Sequence, residues 1–333
     1  MLNMPDIAWC IIIIILSVGF ALVNGANDAA NAIATVVGTK VLSPVKAIAM
    51  AAILNFAGAT TGLAVAHTIG KGIVASGYIN YEIILAALLA AVIWGIVATR
   101  LGLPISLHHA LIAGLVGAGI GAVGSITIIW DVLTKKVFPS VGIAPALGFT
   151  GGFIVMVALY WILRRKSPLS VEGHFSRLQI LSSAFMAYAH GKNDGQMPIG
   201  LMAVALMIYN GSTEWSVPFW IIALSGVAIA TGTALGGWRV IRTLGIRMTV
   251  LRPVQGFAAE TAAASVIEAA SHFGIPVSTT HCISSSIMGV GATKRLSAVR
   301  WGIAGNIVIA WVMTFPICGI LGWIVVRLIM LLS

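Results

Sequence analysis

Residues 7–36 read I-A-W-C-I-I-I-I-I-L-S-V-G-F-A-L-V-N-G-A-N-D-A-A-N-A-I-A-T-V, and this stretch decides the fold class. The run from Ile7 to Val23 is almost wholly apolar, long enough to cross bilayer hydrocarbon as a helix. Asp6 rather than Lys or Arg precedes it, and polar Asn24, Asn27 and Asp28 follow where a small-residue cleavage site would lie. The segment therefore reads as a retained span and not as a secretory signal.

Working outward, similar runs occur near 47–66, 82–99, 104–124, 141–163, 178–208, 217–237, 254–272, 275–292 and 301–327. Of the 333 residues 59% are hydrophobic and 8% charged, and the mean hydropathy is +1.04. The runs are continuous rather than alternating with period two, so helices satisfy the backbone in lipid and a β-barrel does not fit. The expectation is an all-α polytopic membrane protein of about 10–12 membrane-embedded helices, some broken or re-entrant.

The formal net charge of +10 invites a nucleic-acid reading, which the placement of the basic residues answers. With the N-terminus outside, fourteen Lys and Arg fall in cytoplasmic joints, from Lys40 to Arg300, and only Lys71, Lys135, Lys136 and Arg327 fall opposite. That bias reports orientation: both termini outside, the central joint cytoplasmic, no nucleic-acid partner. Cys10, Cys282 and Cys318 sit in separate apolar segments without metal-ligand spacing and read as packing residues.

The chain repeats itself. Asn24-Gly25-Ala26-Asn27-Asp28 returns as His190-Gly191-Lys192-Asn193-Asp194, and Gly102-Leu103-Pro104-Ile105-Ser106-Leu107-His108-His109 returns as Gly274-Ile275-Pro276-Val277-Ser278-Thr279-Thr280-His281. Two motifs kept in order at nearly constant offset indicate duplication. The halves are a first repeat over 1–163, a linker over 164–177 and a second repeat over 178–333. Five crossings in each half would invert the second copy, as in secondary transporters that bind substrate where their halves meet.

Asp28 and Asp194 lie deep in apolar segments, where a carboxylate costs about 3 kcal/mol. Either could be a helix cap beside a break. The functional reading is that Gly25 and Gly191 let the helix unwind, so that carbonyls, Asn27 or Asn193 and the carboxylate converge on a hard cation, or the carboxylate takes a proton. In the other motif, proline opens a helix, and a following serine offers hydroxyl and N–H donors to an anion at the positive end of the helix dipole. Ser106 and His109 thus face Ser278, Thr279, Thr280 and His281 as candidate anion ligands, although a single buried His is commonly a packing residue. Glu260 and Glu268 share a helical face; Glu260 is the deeper and the better candidate for ion coupling.

Through N-G-A-N-D-A-A-N-A-I-A-T from Asn24, H-G-K-N-D-G-Q from His190 and P-V-S-T-T-H-C-I-S-S-S from Pro276, the sequence resembles the inorganic phosphate transporter (PiT) family over essentially its whole length. The resemblance implies phosphate symport with sodium or protons, a homodimer in the cell membrane, and no enzymatic activity or cofactor beyond the coupling ion. Carried onto this chain, the binding roles fall to Asn27, Asn193, Ser106, His109, Ser278, Thr279, Thr280 and His281, with Asp28 and Asp194 at the coupling ion and as metal ligands if that ion is sodium. Two departures matter. Ser106-Leu107-His108-His109 stands where members often show S-T-T-H, and Asn55 stands at the coupling-ion position where sodium-coupled relatives resemble one another in having Glu. The second favours a proton over sodium. Sulfate or another oxyanion is the alternative substrate. An intramembrane metal-dependent hydrolase using the His and Asp residues, or a channel, are rivals of other classes; no H-E-x-x-H pair supports the hydrolase.

Overall fold

A computed structural model of the chain describes residues 5–332. The extreme ends, 1–4 and 333, whose side of the membrane the charge bias addresses, lie outside the described residues. Among the described residues the chain is helical, with no strand beyond one isolated Val74–Ile128 bridge. The first half comprises α1 (Asp6–Gly38), α2 (Pro44–Ala59), α3 (Ala64–Lys71), α4 (Tyr81–Leu101), α5 (Leu107–Ala122), and α6 (Trp130–Val132), which runs through a π turn into α7 (Phe138–Leu163). The second comprises α8 (Pro168–Asp194), α9 (Gln196–Tyr209), α10 (Phe219–Leu235), α11 (Trp238–Arg242) with a π turn over Thr243–Arg247, α12 (Pro253–His272), α13 (Thr279–Lys294) and α14 (Trp301–Leu332).

The order of elements repeats between the halves. A pair bent by 69°, α2 with α3, corresponds to a pair bent by 62°, α10 with the α11 segment. Among the described residues, four helices, Asp6–Gly38, Tyr81–Leu101, Trp130–Leu163 and Trp301–Leu332, are long and apolar enough to cross a membrane, or up to six spans if each bent pair counts as one. Not every apolar run forms one uninterrupted helix. The run at 47–66 breaks before Ala64, and α5 and α13, of 16 residues each, reach about 24 Å at 1.5 Å per residue, short of a roughly 30 Å hydrocarbon core. Both are almost entirely buried, so they line the interior rather than face lipid. The linker expected over 164–177 is helical from Pro168 onward, with Ser167 as its cap.

Local chemistry sets these boundaries. Gly102 (φ 73°) and Gly274 (φ 64°) take the left-handed conformation that ends α4 and α12. Pro104 and Pro276 then hold the chain extended until Ser106 and Ser278 cap α5 and α13. Ser106 Oγ accepts the His109 amide at 3.2 Å and Ser278 Oγ accepts the His281 amide at 3.1 Å.

The halves interlock. α1 packs on α10 and α8 on α2, while α5 packs on α14 and α13 on α7. Each last helix thus crosses to the other half's serine-capped helix. Trp311 Nε1 of α14 donates to the Pro104 carbonyl at 3.1 Å, and Ser140 Oγ of α7 lies 3.4 Å from the Pro276 carbonyl.

The expected unwinding at Gly25 and Gly191 does not occur. α1 is continuous from Asp6 to Gly38, and α8 runs through Gly191 to Asp194. These glycines serve close approach instead. A Cβ on Gly25 would lie 2.2 Å from the Ile229 carbonyl oxygen, and one on Gly191 would lie 2.2 Å from the Asn55 carbonyl oxygen. Outward faces of α7 and α14 expose Ile154, Ile162, Val312 and Ile320, as expected of helices that meet lipid.

Candidate functional site

The repeated order of the two motifs brings α1, α5, α8 and α13 to one buried point. Asp28 of α1 lies 3.1 Å from the hydroxyl of Thr280 in the first turn of α13, and that hydroxyl is also 2.8 Å from the Ile105 carbonyl. Asn31, one turn beyond Asp28, donates through Nδ2 to Thr280 Oγ1 at 2.9 Å and to Thr279 Oγ1 at 3.1 Å. Asp194 ends α8 and faces two imidazoles: His108 Nδ1 is 3.7 Å from Oδ1, and His190 Nε2 is 3.4 Å from Oδ2. The arrangement is crosswise. Thr280 and His108 stand two residues after Ser278 and Ser106 respectively, and each reaches the carboxylate of the opposite half.

Asp28, His190 and Asp194 are buried and offer ligand atoms within 4.8 Å of one another. Two ionised carboxylates so close, away from water, repel strongly unless a proton or cation joins them. This trio is the part of the site able to hold a positive ion.

A relay orients His190. The Thr233 hydroxyl donates to the Ile229 carbonyl at 2.9 Å and so accepts from Asn55 Nδ2 at 2.8 Å. Asn55 Oδ1 is thereby turned to His190 Nδ1 at 2.8 Å and receives its N–H. In the neutral ring, Nε2 then presents a lone pair to Asp194 Oδ2, and neither atom has another hydrogen-bond partner among the described residues. A proton on Nε2, or a cation between the two atoms, converts this opposition into attraction.

The remaining expected site residues divide into three groups. Asn27 Nδ2 donates to Thr99 Oγ1 at 2.8 Å and reaches the Leu103 carbonyl at 3.4 Å. Asn193 Nδ2 donates to the Val277 carbonyl at 2.9 Å and to Asp194 Oδ1 at 3.0 Å, and Ser271 donates to its Oδ1 at 3.1 Å. The two asparagines brace the extended segments that lead into α5 and α13. His109 and His281 pack edge to face at 4.8 Å between centroids, and each stacks on an α14 ring, Phe315 at 4.8 Å and Trp311 at 3.9 Å. Their ring nitrogens have no hydrogen-bond partner among the described residues. Glu260 lies apart, near Thr35, two turns along α1 from Asp28, and accepts from Thr35, Ser182 and Gln179. Glu268 pairs with Lys192.

Sequence reasoning left His190 and Asn31 out of the site and gave His108 a role only as a metal ligand of the rival hydrolase. The signals were present: Asn31 is three residues after Asp28 and so shares its face, and His190 opens the second G-x-N-D copy four residues before Asp194. His108 was hidden by its neighbour, because one residue turns a helix by about 100° and only the cap at Ser106 fixes which His faces Asp194.

The sequence profile of the phosphate transporter family matches residues 24–322. A Rhizobium meliloti (strain 1021) protein described as "probable low-affinity inorganic phosphate transporter" is 46% identical over 300 residues, covering 89% of each chain. A Bacillus subtilis (strain 168) protein of the same description is 39% identical over 315 residues, covering 94% of each. Among solved structures, "The sodium-dependent phosphate transporter" superposes with a TM-score of 0.89 at 28% identity, over 98% of this chain and 100% of the other. These are transporters and not enzymes, which sets aside the hydrolase alternative. The profile match, the curated relatives and the shared fold together show that this chain is a membrane protein belonging to the phosphate transporter family.

Proposed function

We propose that the chain is a symporter that moves inorganic phosphate by alternating access between its two halves, with a proton as the coupling ion. The observation that carries the coupling ion is the pairing of Asp194 with two imidazoles, His190 Nε2 at 3.4 Å and His108 Nδ1 at 3.7 Å. Sodium is a hard ion that prefers oxygen ligands, whereas a carboxylate and an imidazole share a proton readily. The crosswise partner of His108 is Thr280, so one half offers an oxygen where the other offers a nitrogen. Asn55 adds no charge; it supports the reading by fixing the His190 tautomer. Glu260 is the second proposed proton acceptor. Sodium is the second reading, favoured by the sodium-dependent structural neighbour.

Phosphate is proposed to bind against the first turns of α5 and α13, where backbone donors and the hydroxyls of Ser106, Ser278, Thr279 and Thr280 supply hydrogen bonds beside the carboxylates. A protonated phosphate oxygen can donate to Asp28 or Asp194; sulfate at neutral pH cannot. The duplicated order of elements supports an inverted repeat, and the basic-residue bias supports termini outside with the joint before Pro168 in the cytoplasm. Counterflow in proteoliposomes tests the substrate. Labelled phosphate should exchange at least tenfold faster than labelled sulfate, and equal rates would contradict phosphate selectivity.

A further inference from the structure

A cluster of positive charge lines a cavity that shares no lining residue with the carboxylate site. After Gly236 (φ 64°) the chain bends by 62°, and α11 with its π turn lies against the end of α4. The Thr243 hydroxyl pins it there, 3.0 Å from the Gly102 carbonyl. Between them is a cavity of about 360 Å3 lined by Leu101, Gly102, Trp238, Arg239, Arg242, Thr243 and Arg247. The three arginines are exposed, and among the described residues no carboxylate pairs with them. Arg239 spends one donor on the Arg100 carbonyl, which leaves most of the three guanidinium forks uncommitted.

We propose that this cavity is a second phosphate-group site, separate from the transport site, that binds the phosphate of an anionic lipid headgroup or free inorganic phosphate. Guanidinium forks match phosphate oxygens two at a time, and three uncompensated charges around one cavity are relieved by a single anion. The rim favours the lipid source. Leu101 is 65% and Trp238 45% exposed beside the arginines, the combination of apolar surface, indole and basic charge expected at a membrane interface. The larger basic groove around Arg164, Lys166, Arg252 and Lys294 includes Glu172 and so lacks this uniform sign.

The test uses the full chain, purified and depleted of lipid, with phosphatidylglycerol as one probe and inorganic phosphate as the other. Native mass spectrometry reads retained lipid, and equilibrium dialysis with labelled phosphate reads bound anion. The Arg239→Gln/Arg242→Gln variant should retain at least fivefold less phosphatidylglycerol than the parent, identifying a lipid source. If instead it loses one of two bound inorganic phosphates, the site holds and its source is aqueous. Lys135→Gln/Lys136→Gln, which removes the same charge elsewhere, should match the parent. Arg247→Gln alone should lower retention in the same direction, and it serves if the double variant does not fold. The proposal is overturned if the arginine variants match the parent with both probes, or if the lysine variant loses as much.

Discussion

His190 Nε2 lies 3.4 Å from Asp194 Oδ2, while Asn55 holds the opposite ring nitrogen at 2.8 Å. The relay runs from Thr233 through Asn55 to His190 and ends on the carboxylate. Asn55→Leu frees the ring and should lower coupled uptake about tenfold, since losing a buried hydrogen bond costs about 1–3 kcal/mol. Asn55→Asp keeps the acceptor for His190 but loses the donor to Thr233, whose hydroxyl can turn to donate instead, so it should lose less uptake than Asn55→Leu. Initial uptake rates of the two variants check this, and equal loss in both would show that Asn55 acts by some route other than orienting His190.

Thr280 links Asp28, Asn31 and the Ile105 carbonyl. Thr280→Val should raise the half-saturating phosphate concentration about tenfold or more, in line with about 1.5–3 kcal/mol for a hydrogen bond to a charged group. Thr280→Ser keeps the hydroxyl and should stay within a fewfold of the parent. Ser278→Ala, which removes another proposed phosphate donor, should raise that concentration too and should also act on the fold. It removes a helix cap and should cost about 1 kcal/mol of stability, read as a lowered unfolding midpoint in mild detergent.

Gly25 and Gly191 separate close packing from flexibility. Gly25→Ala and Gly191→Ala place a methyl 2.2 Å from a neighbouring backbone oxygen and should abolish folded yield, read by gel filtration in detergent. Gly19 is in the same helix with nothing within 4 Å of its added Cβ, so Gly19→Ala should be tolerated. A well-folded Gly25→Ala protein would restore the unwound-helix reading.

Much of this was legible in the sequence because duplication made it redundant. The motifs beginning at Asn24 and His190, and those at Gly102 and Gly274, mark the helices that meet at the site. The glycine–proline–serine order marks where α5 and α13 begin. What stayed hidden depended on contacts distant in sequence. The close approach of Gly25 to Ile229, the Asn55–His190 pair and the ring of donors around Glu260 each join residues more than 80 positions apart or nearly so, and no local pattern encodes them. The break between α2 and α3 was missed because an apolar run has the same composition whether straight or bent by 69°.

Orientation can be tested on the native background, because Cys10, Cys282 and Cys318 are buried. Ser167→Cys lies at the start of α8 and should react with an impermeant maleimide only from the cytoplasmic side. Labelling from outside would reverse the proposed topology.

Proton coupling is tested most directly by phosphate uptake into proteoliposomes under two imposed gradients. One experiment imposes an acid-outside pH gradient without sodium, the other an inward sodium gradient at equal pH. Because Asp194 faces His190 and His108, phosphate should accumulate under the pH gradient alone, and His108→Thr should weaken that accumulation. Accumulation that requires the sodium gradient and ignores the pH gradient would contradict the proton reading and assign the Asp28–Asp194 pair to sodium.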